Sequence, residues 1–499
     1  MPEWRVDIHR IGASAAAVLG DPDRLDAELE PLLKYLDQDD VLVAYAAKEE
    51  LQKILDDDRI IETQCVTRVV KAILTTSDAS WRREASGFRF QLLRQLLNVK
   101  TGNSSKGEDQ EHRVDCGVEF PYLQEITENV QQVGSMVRSV FLLVDRSERG
   151  AELLPPIAAP CSVQYEALVL MIAVVKRIGS SEKIDCFQVE LSKEMIVLVD
   201  DVFMAMDYAS QPTFVSCAVL KLLGGFQDLI NSWVRLAQTD DDVGCLKAVY
   251  SKWLDRCFAW SLQSSCTSTA LQLLDVNENA ATTSECAFVT SSGRYPFLQQ
   301  WLLCVSRMGI AYMEESLRKN DADRDKLRSA TMSGESYRIT KAQVSRKQLF
   351  TVLAEQDDTM IEVLNNLARM TTFARIPSIA QLRPSFAAYI AAEFDPDLLF
   401  ADLVATLGQD HLVLLDLLVS DETQMLEYIM QYLRHLDTQW GTSKQKLQSC
   451  QRLEGVMGVL IQLRLEIDRL AAADLFPYGA GPLTRRLLAI EQLYEESER

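Results

Sequence analysis

Residues 32–55 read LLKYLDQDDVLVAYAAKEELQKIL, and the spacing within them decides the fold class. Leu32, Leu33 and Leu36, then Leu42, Tyr45, Ala46, Leu51, Ile54 and Leu55, largely follow three- and four-residue steps, the period of amphipathic helices. Asp37, Gln38, Asp39 and Asp40 separate the two apolar sets. An aspartate just ahead of an apolar-periodic run caps a helix, because its carboxylate accepts hydrogen bonds from the unpaired amides of the first turn. The segment therefore reads as a helix, a tight acidic turn and a second helix.

The pattern returns further on. Gln238, Thr239 and Asp240 to Asp242 precede Val243 to Leu254, and Gln356, Asp357 and Asp358 precede Met360 to Leu367. Gln409 and Asp410 precede Leu412 to Leu418, and Ser420, Asp421 and Glu422 precede Met425 to Leu436. Helical hairpins repeated with one style of turn predict an all-α chain built as an irregular HEAT/armadillo-like helical-repeat solenoid. At roughly 40 to 47 residues per repeat, about ten or eleven units fit. The copies share pattern rather than identity, so a single irregular helical bundle is the competing architecture. Composition agrees with helix, since 67 Leu stand against 14 Pro and 21 Gly.

Two polar stretches interrupt the pattern, one near 98–113 and one at 329–345, and Pro155, Pro156 and Pro160 mark a further break. The expected organisation is a helical-repeat region over 1–328, a polar linker over 329–345, and a helical region over 346–499 with a terminal cap segment at 474–490. The linker, with Ser333 and Ser336 between basic flanks, reads as disordered, with a phosphorylation site or a nuclear-import patch as the functional alternatives.

The 499 residues carry 51 Lys plus Arg against 72 Asp plus Glu, a formal net charge of −21. Such acidity excludes a generic binder of phosphate backbones, so no direct nucleic-acid binding is expected. The partners it favours are other proteins, basic transcription-factor regions among them. The start, Met1 to Gly12, has no apolar h-region and does not read as a secretory signal. The uncharged apolar run Ala167 to Val175 ends at Lys176, far short of the roughly 20 residues that span a bilayer, and no membrane segment is expected. Eleven cysteines scattered from Cys65 to Cys450 without short paired spacings fit reduced, packed thiols in an intracellular protein, where the Asn103 sequon carries little weight.

The residues carry few signs of catalytic or metal-binding chemistry. The four histidines, His9, His112, His411 and His435, form no i, i+4 pair, and His112 with Cys116 lacks a second ligand pair, so no metal site is assigned. Asp321, Asp323 and Asp325 imitate half of a calcium loop, but Lys326 and Met332 stand where the turn glycine and the bidentate glutamate belong. No serine-hydrolase, P-loop, dinucleotide or zincin signature occurs, and no catalytic or cofactor-binding residue is assigned. The rival reading is an enzyme on a helical scaffold that uses an acidic cluster such as Asp240 to Asp242. Capping and solubility are the simpler role for those aspartates. The tryptophans, with Trp253 and Trp260 two turns apart, read as core.

Val413 to Leu436, VLLDLLVSDETQMLEYIMQYLRHL, and Leu475 to Leu488, LFPYGAGPLTRRLL, together resemble the Lines family. The first matches a long apolar helix, an acidic turn and a Leu-Glu-Tyr helix, carried here by Asp421, Glu422, Leu426, Glu427 and Tyr428. The second matches a short FPY-containing segment, carried by Phe476, Pro477 and Tyr478. Gly479, Ala480 and Gly481 then depart from the polar residue expected after the tyrosine. The resemblance implies a non-enzymatic regulator, acting in nucleus and cytoplasm, that influences transcription in developmental, Wnt-type signalling through protein contacts. Physically, Phe476 and Tyr478 read as a cap on the last helix, and Leu426 as a core residue whose replacement by Asp unfolds the C-terminal part.

Overall fold

The computed structural model describes residues 3–57, 59, 66–75, 83–99, 121–141, 159–178, 186–236, 243–275, 291–318, 344–378 and 384–498. Among the described residues there are 21 α-helices and no strand. The chain divides into two compact units, residues 1–266 with 286–288, and residues 267–285 with 289–499. Most of the polar stretches near 98–113 and 329–345 lies outside the described residues, as do Asn103, His112, Cys116, Pro155, Pro156, Asp240 to Asp242, Asp321, Asp323, Asp325, Ser333 and Ser336.

The first unit contains α1 (Glu3–Gly20), α2 (Leu25–Leu36), α3 (Val41–Leu55), α4 (Val66–Leu74), α5 (Gly87–Leu96), α6 (Pro121–Glu128), α7 (Val130–Phe141), α8 (Cys161–Ile178), α9 (Cys186–Leu198), α10 (Thr213–Leu236) and α11 (Val243–Gln263). The turn expected between α2 and α3 is present, with the Asp40 carboxylate accepting from the amides of Leu42 at 2.9 Å and Val43 at 3.4 Å. The buried face of α3 differs from the expected one. Val43, Ala44, Ala47, Leu51, Ile54 and Leu55 are buried, whereas Leu42 is 63% and Tyr45 49% exposed. Apolar residues occupy most of the first two turns, so spacing alone leaves the register open. The small Ala44 and Ala47 face inward, where α3 packs on α1 and α5.

Helices α1, α3, α5, α8 and α10 pack side by side in chain order, and α2, α4, α7, α9 and α11 form a second row, with α2 on α3, α7 on α8 and α11 on α10. Trp233, Trp253 and Trp260 fill the core between rows. Trp253 donates from Nε1 to Gln227 Oε1 at 2.8 Å and meets the Phe226 ring edge-on at 4.6 Å, so its polar edge is satisfied although the side chain is fully buried. Thr213–Arg235, within α10, is long and apolar enough to cross a membrane by composition, a length the sequence reading missed because Lys221 interrupts it. Of its most apolar window 67% is buried, as in a core helix.

α12 (Ser265–Asp275) carries the unit boundary, and the second unit continues with α13 (Ser291–Arg318), α14 (Arg346–Leu353), α15 (Asp357–Ala374), α16 (Pro384–Glu393), α17 (Pro396–Thr406), α18 (His411–Val419), α19 (Met425–Ser449), α20 (Leu453–Ala472) and α21 (Gly481–Glu498). Here α13, α15, α19 and α21 pack in succession, α14, α17 and α20 form a second row, and α18 lies against α20. Asp410 caps α18 through the Leu412 amide at 2.8 Å, as its spacing predicts. The other two acidic turns work differently. Asp357 and Asp358 lie inside the first turn of α15, where they complement the helix dipole, and Gln424 rather than an acid precedes α19. Met425, Tyr428, Ile429, Tyr432, Leu433 and Leu436 form the buried stripe of α19, while Leu426 is half-buried at its edge.

Candidate functional site

The segment after α18 is a short acidic turn held from several sides. Ser420 Oγ accepts from the Glu422 amide at 3.2 Å, Thr423 Oγ1 donates to the Leu417 carbonyl at 2.5 Å, and the buried Asn365 of α15 donates from Nδ2 to the Gln424 carbonyl at 3.1 Å. The segment after α20 is shaped by its helix end. Asp474 adopts φ 56°, and the amides of Leu475 and Asp474 return to the carbonyls of Leu470 at 2.9 Å and Ala471 at 3.1 Å, a left-handed closure of the last turn. This reversal carries Phe476, Pro477 and Tyr478 back toward the acidic turn.

There the two segments meet. The Tyr478 hydroxyl donates to Asp421 Oδ1 at 2.9 Å and lies 3.5 Å from the Val419 carbonyl, and the Phe476 ring stands edge-on to Tyr478 at 6.1 Å. The hydrogen bond to Asp421, with smaller contributions from burial and from the carboxylate charge, raises the Tyr478 pKa above its ordinary value. Glu422 is exposed on the same turn, Leu475 is 69% exposed ahead of Phe476, and Glu427 is exposed on the first turn of α19. Tyr428 goes elsewhere, into the core beneath Phe400. The junction thus presents carboxylates and aromatic rings together on a braced surface.

A second constellation escaped the sequence reading. Asp395 caps α17 by accepting from the Asp397 amide at 3.1 Å, which turns Asp397 into the core against α19. His435 Nε2 lies 3.4 Å from Asp397 Oδ1, and Lys446 Nζ lies 2.7 Å from Asp395 Oδ2 and 3.4 Å from Asp397 Oδ2. Arg375 adds an ion pair to Asp395 at 3.1 Å. Burial by itself raises the Asp397 carboxyl, but the polar and charged groups of His435, Ser443 and Lys446 around it overcome that, and the pKa ends below the ordinary value. His435 precedes and Ser443 and Lys446 follow the kink of α19 at Gln439, so their convergence on Asp397 is not legible from helical spacing.

Serine, histidine and aspartate in one cluster invite a hydrolase reading. The geometry opposes it, because Ser443 and His435 both face the carboxylate and Asp397 and Ser443 have no solvent-exposed surface. Among the described residues, no three His, Cys, Asp or Glu side chains converge as a metal site.

Residues 326–447 match the family described as Lines N-terminus, and residues 456–492 match Lines C-terminus. The chain is 32% identical over 159 residues to Protein lines of Drosophila melanogaster, over 30% of this chain and 18% of that protein. The chain thus spans less than a fifth of the length of that relative. No solved structure matches the chain. The Asp395–Lys446 cluster and Asp421 fall within the first matched segment and Tyr478 within the second.

Proposed function

We propose that the chain, whose residues 326–447 and 456–492 match the Lines N-terminus and Lines C-terminus families, is a developmental regulator of Lines type, working as a non-enzymatic scaffold for protein contacts. The observation that carries this reading is the junction at which Tyr478 bonds Asp421, since it joins the two family segments into one braced surface of carboxylates and rings. In this reading the two rows of helices in each unit are irregular repeats of a solenoid, whose stacked pairs bury a continuous core and leave extended faces for partners.

The partner of the junction is a basic protein segment, such as the basic region of a transcription factor in a Wnt-type pathway, met in the nucleus or the cytoplasm. Asp421, Glu422 and Glu427 steer such a segment, and Leu475 with Tyr478 supplies apolar contact. The test is affinity capture from nuclear and cytoplasmic extracts with the full chain and with its Asp421→Lys, Glu422→Lys double variant. Recovery of a transcription-linked protein by the first bait and its loss from the second supports the reading. Identical recovery by both baits assigns these segments a folding role and moves the binding surface elsewhere.

A further inference from the structure

In the first unit a groove of about 510 Å³ opens where four neighbouring helices begin, and Val41 of α3, Phe88 of α5, Tyr165 of α8 and Phe214 of α10 line it. Three rings line it, Phe88, Tyr165 and Phe214, and they stand in two edge-to-face pairs, Phe88 against Tyr45 just outside the lining at 5.8 Å and Tyr165 against Phe214 at 5.4 Å. These are not core residues left over. Val41, Leu42, Tyr45 and Phe214 are 44%, 63%, 49% and 47% exposed, on helices whose opposite faces are fully packed. Gly87 also lines the groove, where α5 approaches α8 closely enough that an added Cβ atom would lie 3.8 Å from the Val163 Cα.

Glu84 and Glu166 line the groove, and no lysine, arginine or histidine does so among its described lining residues. Lys48 stands at its margin, with Nζ 5.5 Å from the Tyr45 ring, and Arg94 neutralises Glu166 from behind, which leaves Glu84 as its exposed carboxylate. Glu166 is held in place by Gln91 at 3.0 Å and Arg94 at 3.3 Å. Asp39 and Asp40 immediately precede Val41, and the Asp39–Arg83 ion pair at 2.8 Å fixes this acidic turn beside Glu84. Four adjacent helices at about 8–10 Å between axes span about 24–30 Å. An extended segment of about seven to nine residues covers that distance at about 3.3 Å per residue.

We infer that this groove docks an extended basic peptide segment of a partner protein, its apolar side chains seated between the two ring pairs and its lysines or arginines facing Glu84 and the adjoining Asp39–Asp40 turn. A ring face attracts a cation as well as an alkyl chain, so an alternating apolar and basic segment uses both surfaces. An acidic segment meets repulsion along the same path. The site is independent of the family segments, all of which lie in the other unit.

The probe is a fluorescein-labelled nonapeptide in which leucine alternates with arginine, followed by fluorescence anisotropy against the full chain. The same chain carrying Phe214→Ser or Glu84→Lys is the comparison, both positions being exposed. The expected result is saturable binding that weakens at least about tenfold in each variant, with unchanged thermal melting, and a leucine–glutamate peptide that binds far less tightly. Equal affinity of all three proteins for the arginine peptide overturns the inference, as does tighter binding of the glutamate peptide or no binding at millimolar peptide. Sedimentation showing self-association that Phe214→Ser abolishes assigns the groove to a second copy of the chain and overturns it equally.

Discussion

Asp397 has no exposed side-chain surface yet remains a carboxylate below its ordinary pKa, because His435, Ser443 and Lys446 converge on it from the two sides of the α19 kink. Replacing it by Ala leaves the half-exposed Lys446 with Asp395 alone and the His435 imidazole without its acidic neighbour. Removing one partner of a buried pair costs about 3–5 kcal/mol, and Asp397→Ala is expected near the low end because Asp395 still pairs with Lys446. Denaturant titration of the two proteins checks this. The pH dependence has a definite sign. A carboxylate whose folded pKa lies below its unfolded value stabilises the fold at neutral pH and loses that contribution as pH falls from about 4 through the folded value. Thermal melting of the natural chain is therefore expected to fall in that acid window. Asp397→Asn melts lower at neutral pH and shows a shallower acid slope. Parallel slopes in the two proteins mean that Asp397 is not the group that titrates.

The helices show what periodicity conveys and where it stops. The Asp40 and Asp410 caps were legible because a cap needs only a carboxylate two residues before an amide. The buried faces were less so. In α3 apolar residues surround the first two turns, and tertiary packing chose Val43, Ala44 and Ala47 over Leu42 and Tyr45. In α19 the register places Ile429 at 0% exposure and leaves Leu426 half-buried. Ile429→Asp is accordingly expected to cost more than about 4 kcal/mol, whereas Leu426→Asp costs substantially less. Equal melting temperatures for the two variants contradict this register. The end of α20 offers a gain instead. Asp474 holds φ 56°, a region that costs a residue with a Cβ about 1–2 kcal/mol, so Asp474→Gly is expected to stabilise by about 0.5–1 kcal/mol after the added freedom of the unfolded chain is subtracted. A lowered melting temperature indicates that the Asp474 side chain contributes more than its backbone strain costs.

At the scale of the whole molecule, charge and composition were readable at once, while the meeting of distant segments was not. Asp421 and Tyr478 are 57 residues apart, and only the reversal at Asp474 brings the hydroxyl to the carboxylate. The Asp397 cluster was hidden for a related reason, since a lone histidine on an amphipathic helix has no meaning until the opposing helix is placed. The formal charge of −21, by contrast, needs no fold to act at long range. It accelerates the approach of a basic partner and leaves the docked contacts to set its escape. Raising the salt from about 0.1 M to about 1 M shortens the screening length from about 10 Å to about 3 Å. Stopped-flow measurement with a basic peptide is therefore expected to show an association rate at least about tenfold slower at the higher salt, and a dissociation rate that changes much less. Were association to keep its speed while dissociation quickened, the attraction would reside in local ion pairs at the docking site, and the acidity of the rest of the chain would serve solubility alone.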